Sequence, residues 1–156
     1  MGKGLMLPPA VLWLDPGGMT GFALLERGKF STYELPFQET GNRIYAECSI
    51  WKTALAIGWE RWRISEDTHK TTPEPEAMHV IGVARWLSAT WHCQVLQPAA
   101  PGDRDVATPA MLHLIGWWRP GLDDAQSASQ HMLAWLLRTG NLPPEQARIL
   151  AAARQH

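Results

Sequence analysis

The chain has 156 residues, 46% of them hydrophobic and 19% charged, with a formal net charge of −1. That length gives room for one domain with a substantial core and is short for two, and the composition excludes a disordered chain. The near-neutral balance excludes a uniformly basic nucleic-acid binder, though not one whose basic residues cluster locally and whose acids are neutralised by a metal. The two cysteines, Cys48 and Cys93, lack zinc-ligand spacing and read as buried thiols of a reducing compartment. The first apolar run is broken by Pro8-Pro9 and is unlike a signal peptide. No stretch is apolar for long enough to span a bilayer, so a cytoplasmic protein without a membrane partner is expected.

Taken in order, Val11 to Leu14 is a near-continuous apolar run, as in a strand buried on both faces. It stops at Asp15, before the turn Pro16-Gly17-Gly18. Strand one is expected at 10–15 and strand two at 20–26. A hairpin turn at Glu26-Arg27-Gly28-Lys29 leads to a third strand over 30–35 that ends at Pro36. Ile44, Cys48, Trp51 and Leu55 recur at helical spacing and predict a helix over 41–55. Residues 56–64 read as a strand, with Glu60, Trp62 and Ile64 on one face and Trp59, Arg61 and Arg63 on the other. A polar loop follows, containing His69 and Lys70. A helix is expected over 74–91, where Gly82, Ala84 and Ser88 would allow close approach of a neighbour. A short strand at 94–97 and a linker from Pro98 to Asp103 precede a helix opened by Thr108-Pro109. Asp123-Asp124 opens the last core helix, with Ala125, Ala128, Met132, Trp135 and Leu136 inward and Gly140 closing it. Pro143-Pro144-Glu145 starts a small terminal helix.

Asp15, Glu60 and the Asp123-Asp124 pair are the notable acids, drawn from distant parts of the chain. Asp15 falls at the carboxyl end of a central strand, where ligands bind in open α/β sheets. A glutamate within a strand is costly without a partner, and a cation is one such partner. Carboxylates gathered in this way are hard oxygen ligands for divalent cations, and paired ions suit phosphodiester hydrolysis.

The element order matches the ribonuclease H-like architecture: an α/β fold with a mixed five-stranded sheet, three antiparallel strands followed by alternating β and α elements. Over most of its length the chain resembles the RuvC-like Holliday-junction resolvases, the short phage-type members in particular. The resemblance rests on Leu14-Asp15-Pro16-Gly17-Gly18-Met19-Thr20-Gly21-Phe22, Trp59-Glu60-Arg61-Trp62 and Asp123-Asp124-Ala125-Gln126-Ser127-Ala128. It implies a homodimeric endodeoxyribonuclease that cuts branched DNA using Mg²⁺ or Mn²⁺, two ions per site and no organic cofactor. Asp15 and Glu60 would be the first two ligands, and Asp124, with Asp123 second to it, the third. The family pattern has a further acid or histidine three residues on. Here that place is Ser127, whose hydroxyl could hold a metal-bound water.

Trp62 is a candidate to stack at the junction or to pack in the core, and Arg61, Arg63 and Lys70 are candidates for phosphate contact. His131, two turns along from Asp124, could reach the edge of the site, but a lone histidine on a helix is more often structural and it is left out of the site. The alternatives are an RNA-processing nuclease of the same fold and a non-catalytic binder of branched DNA. A sugar-kinase or actin-like ATPase would need two lobes, and this chain has room for one.

Overall fold

The computed structural model describes residues 7–60, 74–96 and 102–155. Its centre is β1 (Ala10–Asp15), whose five apolar residues are all buried. They are buried because the strand is covered on both faces and both edges. β2 (Met19–Glu26) pairs with it antiparallel on one side and β4 (Leu55–Trp59) parallel on the other. β3 (Lys29–Pro36) lies antiparallel to β2, and the short β5 (Gln94–Val95) lies parallel to β4. The strand order is β3-β2-β1-β4-β5. The β2–β3 hairpin turns through Arg27 and Gly28, both at positive φ (48° and 84°), the geometry that matches the twist of its strands.

Alternation along the strands divides the core into two layers. Leu12, Leu14, Phe22, Leu24, Ile57 and Trp59 face helices α1 (Phe37–Trp51) and α2 (Pro75–Thr90). Val11, Trp13, Ala23, Leu25 and Ala56 face the opposite layer. That layer holds α3 (Asp103–Val106), α4 (Pro109–Ile115), α5 (Asp123–Thr139) and α6 (Pro144–Arg154). Helix α5 lies against β1, β2 and β3, so its first turn rests over the strand ends. Its far end closes at Gly140 (φ 69°), where the Asn141 amide donates to the Leu136 carbonyl.

Four expectations are corrected. Helix α1 starts at Phe37, because extended Pro36 feeds straight into it and the Phe37 amide donates to the Gly18 carbonyl. It ends at Trp51, and a 3₁₀ turn (Lys52–Ala54) takes up the remainder. Strand β4 stops at Trp59, so Glu60 follows the strand instead of lying within it. The partner β1 ends one residue past its last pair, Leu14 with Trp59, and the Glu60 amide donates to Leu14 in the closing bond. Helix α3 lies at the end of the expected linker, too short for hydrophobic periodicity to reveal it. In α2, Ala84 and Ser88 are buried within the chain while Gly82 faces out, so these three residues do not form one interface stripe. The rest of the expected strand over 56–64, with the polar loop after it, lies outside the described residues.

Candidate acidic site at the strand ends

Register brings the acids into one row. Asp15 is opposite Gly21, and Gly21 is opposite Glu34 on the next strand. Glu60 follows β4 immediately beside Asp15. By alternation from Val11 and Trp13, Asp15 belongs to the face covered by α5. In the middle of this row Gly21 leaves a gap, and the first turn of α5 fills it. A Cβ added at Gly21 would lie 2.0 Å from the Asp124 carbonyl oxygen and 2.6 Å from the Ala125 nitrogen. Glycine is therefore required by close approach.

Helix α5 is capped from the sheet. Its N-cap position, Leu122, has no side-chain acceptor. Instead Glu34 Oε1 accepts from the amides of Asp124 (2.8 Å) and Ala125 (3.2 Å). A carboxylate at a helix N-terminus satisfies orphan donors and complements the dipole. Ser129 adds a second tie: its hydroxyl lies 2.8 Å from the Ala125 carbonyl, to which it donates, and 3.2 Å from Thr32 Oγ1, while Thr32 donates to the Phe22 carbonyl (2.7 Å). Sheet and helix are thus locked in register where Asp124 meets Asp15.

Three carboxylates come together there. Burial, contact with Glu60 and the charge of Asp124 push the Asp15 carboxyl up to about 8, with Arg104 opposing. Burial, followed by the charges of Glu34 and Asp123, raises Asp124, which Asp15 partly offsets by hydrogen bonding. Burial also pushes Glu60 up. Contacts with His131 and Asp15 and the charge of Arg104 outweigh it and hold Glu60 at about 2. Burial and the neighbouring acid thus favour the protonated form of Asp15, while His131 and Arg104 favour the charged form of Glu60.

A second group surrounds Glu60. Asp103, at the start of α3, is fully buried. It is ion-paired to Arg138 and lies 3.0 Å from His131 Nδ1. The other ring nitrogen, Nε2, is buried, has no hydrogen-bond partner within 3.5 Å among the described residues and lies 3.6 Å from Glu60 Oε2. Beneath the ring is Trp13, stacked at 6.2 Å between centroids. Arg104 reaches from α3 to donate to Ser127 Oγ (2.9 Å) and to Glu60 Oε1 (3.5 Å).

The structure thus brings Asp15, Glu60 and Asp124 together, while Asp123 faces solvent. Ser127 is buried and occupied by Arg104. Arg61, Trp62, Arg63 and Lys70 lie outside the described residues. Sequence reasoning missed Glu34, Asp103 and Arg104, and left His131 out of the site although it placed that residue within reach of the site's edge. Its spacing of seven residues from Asp124, two helical turns, was the available signal. For Asp103 and Arg104 there was none.

Among the described residues, no three His, Cys, Asp or Glu side chains already converge in a geometry ready for an ion. The donor set nevertheless suits a hard divalent cation, since carboxylate oxygens predominate. The repulsion among Asp15, Glu60 and Asp124, which raises the Asp15 carboxyl, is what a bound cation would relieve.

No protein-family profile matches the sequence, and no curated protein is significantly similar to it. The structure is similar to that of Thermus thermophilus RuvC in complex with a Holliday junction substrate. The TM-score is 0.57 at 13% identity, covering 85% of this chain and 96% of that one. A second Thermus thermophilus RuvC structure has a TM-score of 0.48 at 14% identity, with 85% of this chain and 97% of that one covered. With the mixed five-stranded sheet and its two helical layers, the first of these likenesses shows that the chain has the ribonuclease H-like fold of RuvC.

Proposed function

We propose that this chain is a metal-dependent endonuclease of branched DNA, with four-way junctions foremost among its substrates. The reading rests on one observation: Asp15, Glu60 and Asp124, from three remote segments, meet at the carboxyl end of the central strands of a RuvC-type fold. Asp15 and Glu60 would hold a Mg²⁺ or Mn²⁺ ion, with Asp124 as the third ligand. When bound, the ion activates water and stabilises the leaving oxygen.

The chain's own residues prepare the reaction. Gly21 and Glu34 seat the first turn of α5 so that Asp124 faces Asp15. Trp13 and the buried Asp103 hold the His131 ring beside Glu60. In the hydrolysis, water forms a bond to phosphorus, one phosphate ester bond breaks, and the departing oxygen takes up a proton. The products are a phosphate monoester and a hydroxyl.

A homodimer fits this substrate, because a two-fold pair of sites can cut two opposed strands. On α2 the outward residues Met78, Gly82 and Trp86 form the candidate contact, with Trp86 67% exposed.

The test is cleavage of a labelled four-way junction, matched duplex and hairpin RNA, with Mg²⁺ and with EDTA. Junction cleavage that needs Mg²⁺ and is lost in Asp15→Asn, Glu60→Gln and Asp124→Asn, with DNA binding retained, supports the reading. Asp123→Asn is expected to cut normally. Cleavage of hairpin RNA alone, or junction binding without metal-dependent cutting, refutes it.

A further inference from the structure

We propose that Arg104 stands where a second divalent cation would otherwise sit, so that the site works with one metal ion and one guanidinium that binds the scissile phosphate. The inference rests on the nuclease reading and specifies how its substrate is held.

The late helix turns only Asp124 of its acidic pair toward the cluster, because Asp123 faces solvent. One turn further on, where another acid would complete a second ion site, stands the neutral hydroxyl of Ser127. That hydroxyl is already taken. Arg104 Nη2 donates to Ser127 Oγ at 2.9 Å and lies 3.5 Å from Glu60 Oε1. A divalent ion placed there would find a neutral hydroxyl in place of a further acid, would have to share Glu60 with the first ion, and would face a fixed positive charge.

Arg104 is also well held at its base. The preceding residue, Asp103, has no exposed surface and is joined to both Arg138 and His131. Helix α3 is thereby fixed against α5 even though it is only one turn long. At the other end, the Arg104 side chain is 58% exposed. Its guanidinium has five donors, and its contacts among the described residues, to Ser127 and Glu60, both use Nη2, so that the other N–H groups can meet an incoming anion. A planar guanidinium grips two phosphate oxygens at once, a geometry that a lysine ammonium does not offer. A phosphodiester approaching three carboxylates needs a compensating charge in this position, and Arg104 supplies it without a second ion.

Mn²⁺ titration calorimetry on the full chain without DNA provides a readout independent of activity. The wild type is expected to bind one Mn²⁺ per chain, and the double variant Ser127→Asp/Arg104→Ala two. Two ions on the wild type would overturn this inference and leave the nuclease reading standing, whereas no Mn²⁺ binding at all would overturn both. Arg104→Ala is expected to cut a four-way junction about 100-fold more slowly, with about tenfold recovered by tens of millimolar guanidinium. A folded Arg104→Ala protein that cuts at the wild-type rate, or whose lost rate guanidinium does not restore, would also overturn it.

Discussion

Replacing Gly21 by alanine should disturb the site through one added methyl group. The new Cβ would fall 2.0 Å from the Asp124 carbonyl oxygen, 2.2 Å from its carbon and 2.6 Å from the Ala125 nitrogen. All three are backbone atoms, so no side chain can rotate away. Reaching an ordinary contact of about 3.5 Å requires the first turn of α5 to lift by about 1.5 Å. Such overpacking costs about 1–3 kcal/mol. The same movement stretches the two bonds from the Glu34 carboxylate, and hydrogen bonds to a charged group contribute about 1.5–3 kcal/mol each. A total of about 3 kcal/mol or more corresponds to a Tm drop of about 10 °C for a chain of this size. Asp124 moves with its backbone, so Mn²⁺ affinity should fall by more than about tenfold and junction cleavage by about 100-fold. The assays are thermal unfolding, titration calorimetry and single-turnover cleavage. Gly18→Ala serves as the control, because a Cβ there meets nothing within 4 Å among the described residues; its effect should stay within about 0.5 kcal/mol. A Gly21→Ala protein with wild-type Tm and Mn²⁺ affinity would refute the close seating of α5 on β2.

Three further outcomes are expected. Glu34→Ala removes the cap that the sheet provides to α5 and should cost about 2 kcal/mol in urea unfolding, against a smaller loss for Glu34→Gln, which keeps an acceptor oxygen. Asp103→Ala leaves Arg138 and His131 without their shared buried partner and should destabilise the protein by about 3 kcal/mol, read as a shift in the urea midpoint. Burial, with smaller contributions from Cys93 and Glu47, pushes the Cys48 thiol up to about 12 from an ordinary 9.0. Cys48 should therefore stay inert to thiol reagents at pH 8 until the chain unfolds. Its folded pKa lies above the unfolded one, so its stabilising effect is complete below pH 9 and is lost as pH rises toward 12. Native-state labelling mapped by mass spectrometry checks the reactivity, and Cys48→Ala should flatten that part of the pH profile.

The sequence by itself determined the order of the principal elements, the strand limits at Asp15 and Glu26, and the inward residues of α5, because burial imposes periods of two and 3.6 that can be read along the chain. It also singled out Asp15, Glu60 and Asp124, since an acid at the edge of an apolar strand or at a helix start stands out from its neighbours. Only the tertiary structure decided what surrounds them. Strand β4 pairs with β1 only as far as Trp59, and where that pairing ends is a property of two strands together rather than of the local pattern. Glu34 looks like any polar residue of an edge strand until register sets it opposite Gly21 and beneath α5. Asp103 and Arg104 occupy a single helical turn in a stretch that reads as a linker, and their partners lie 23 to 44 residues away. Contacts at that separation leave no periodic trace along the chain, because they depend on how layers close over one another and not on which face each element buries.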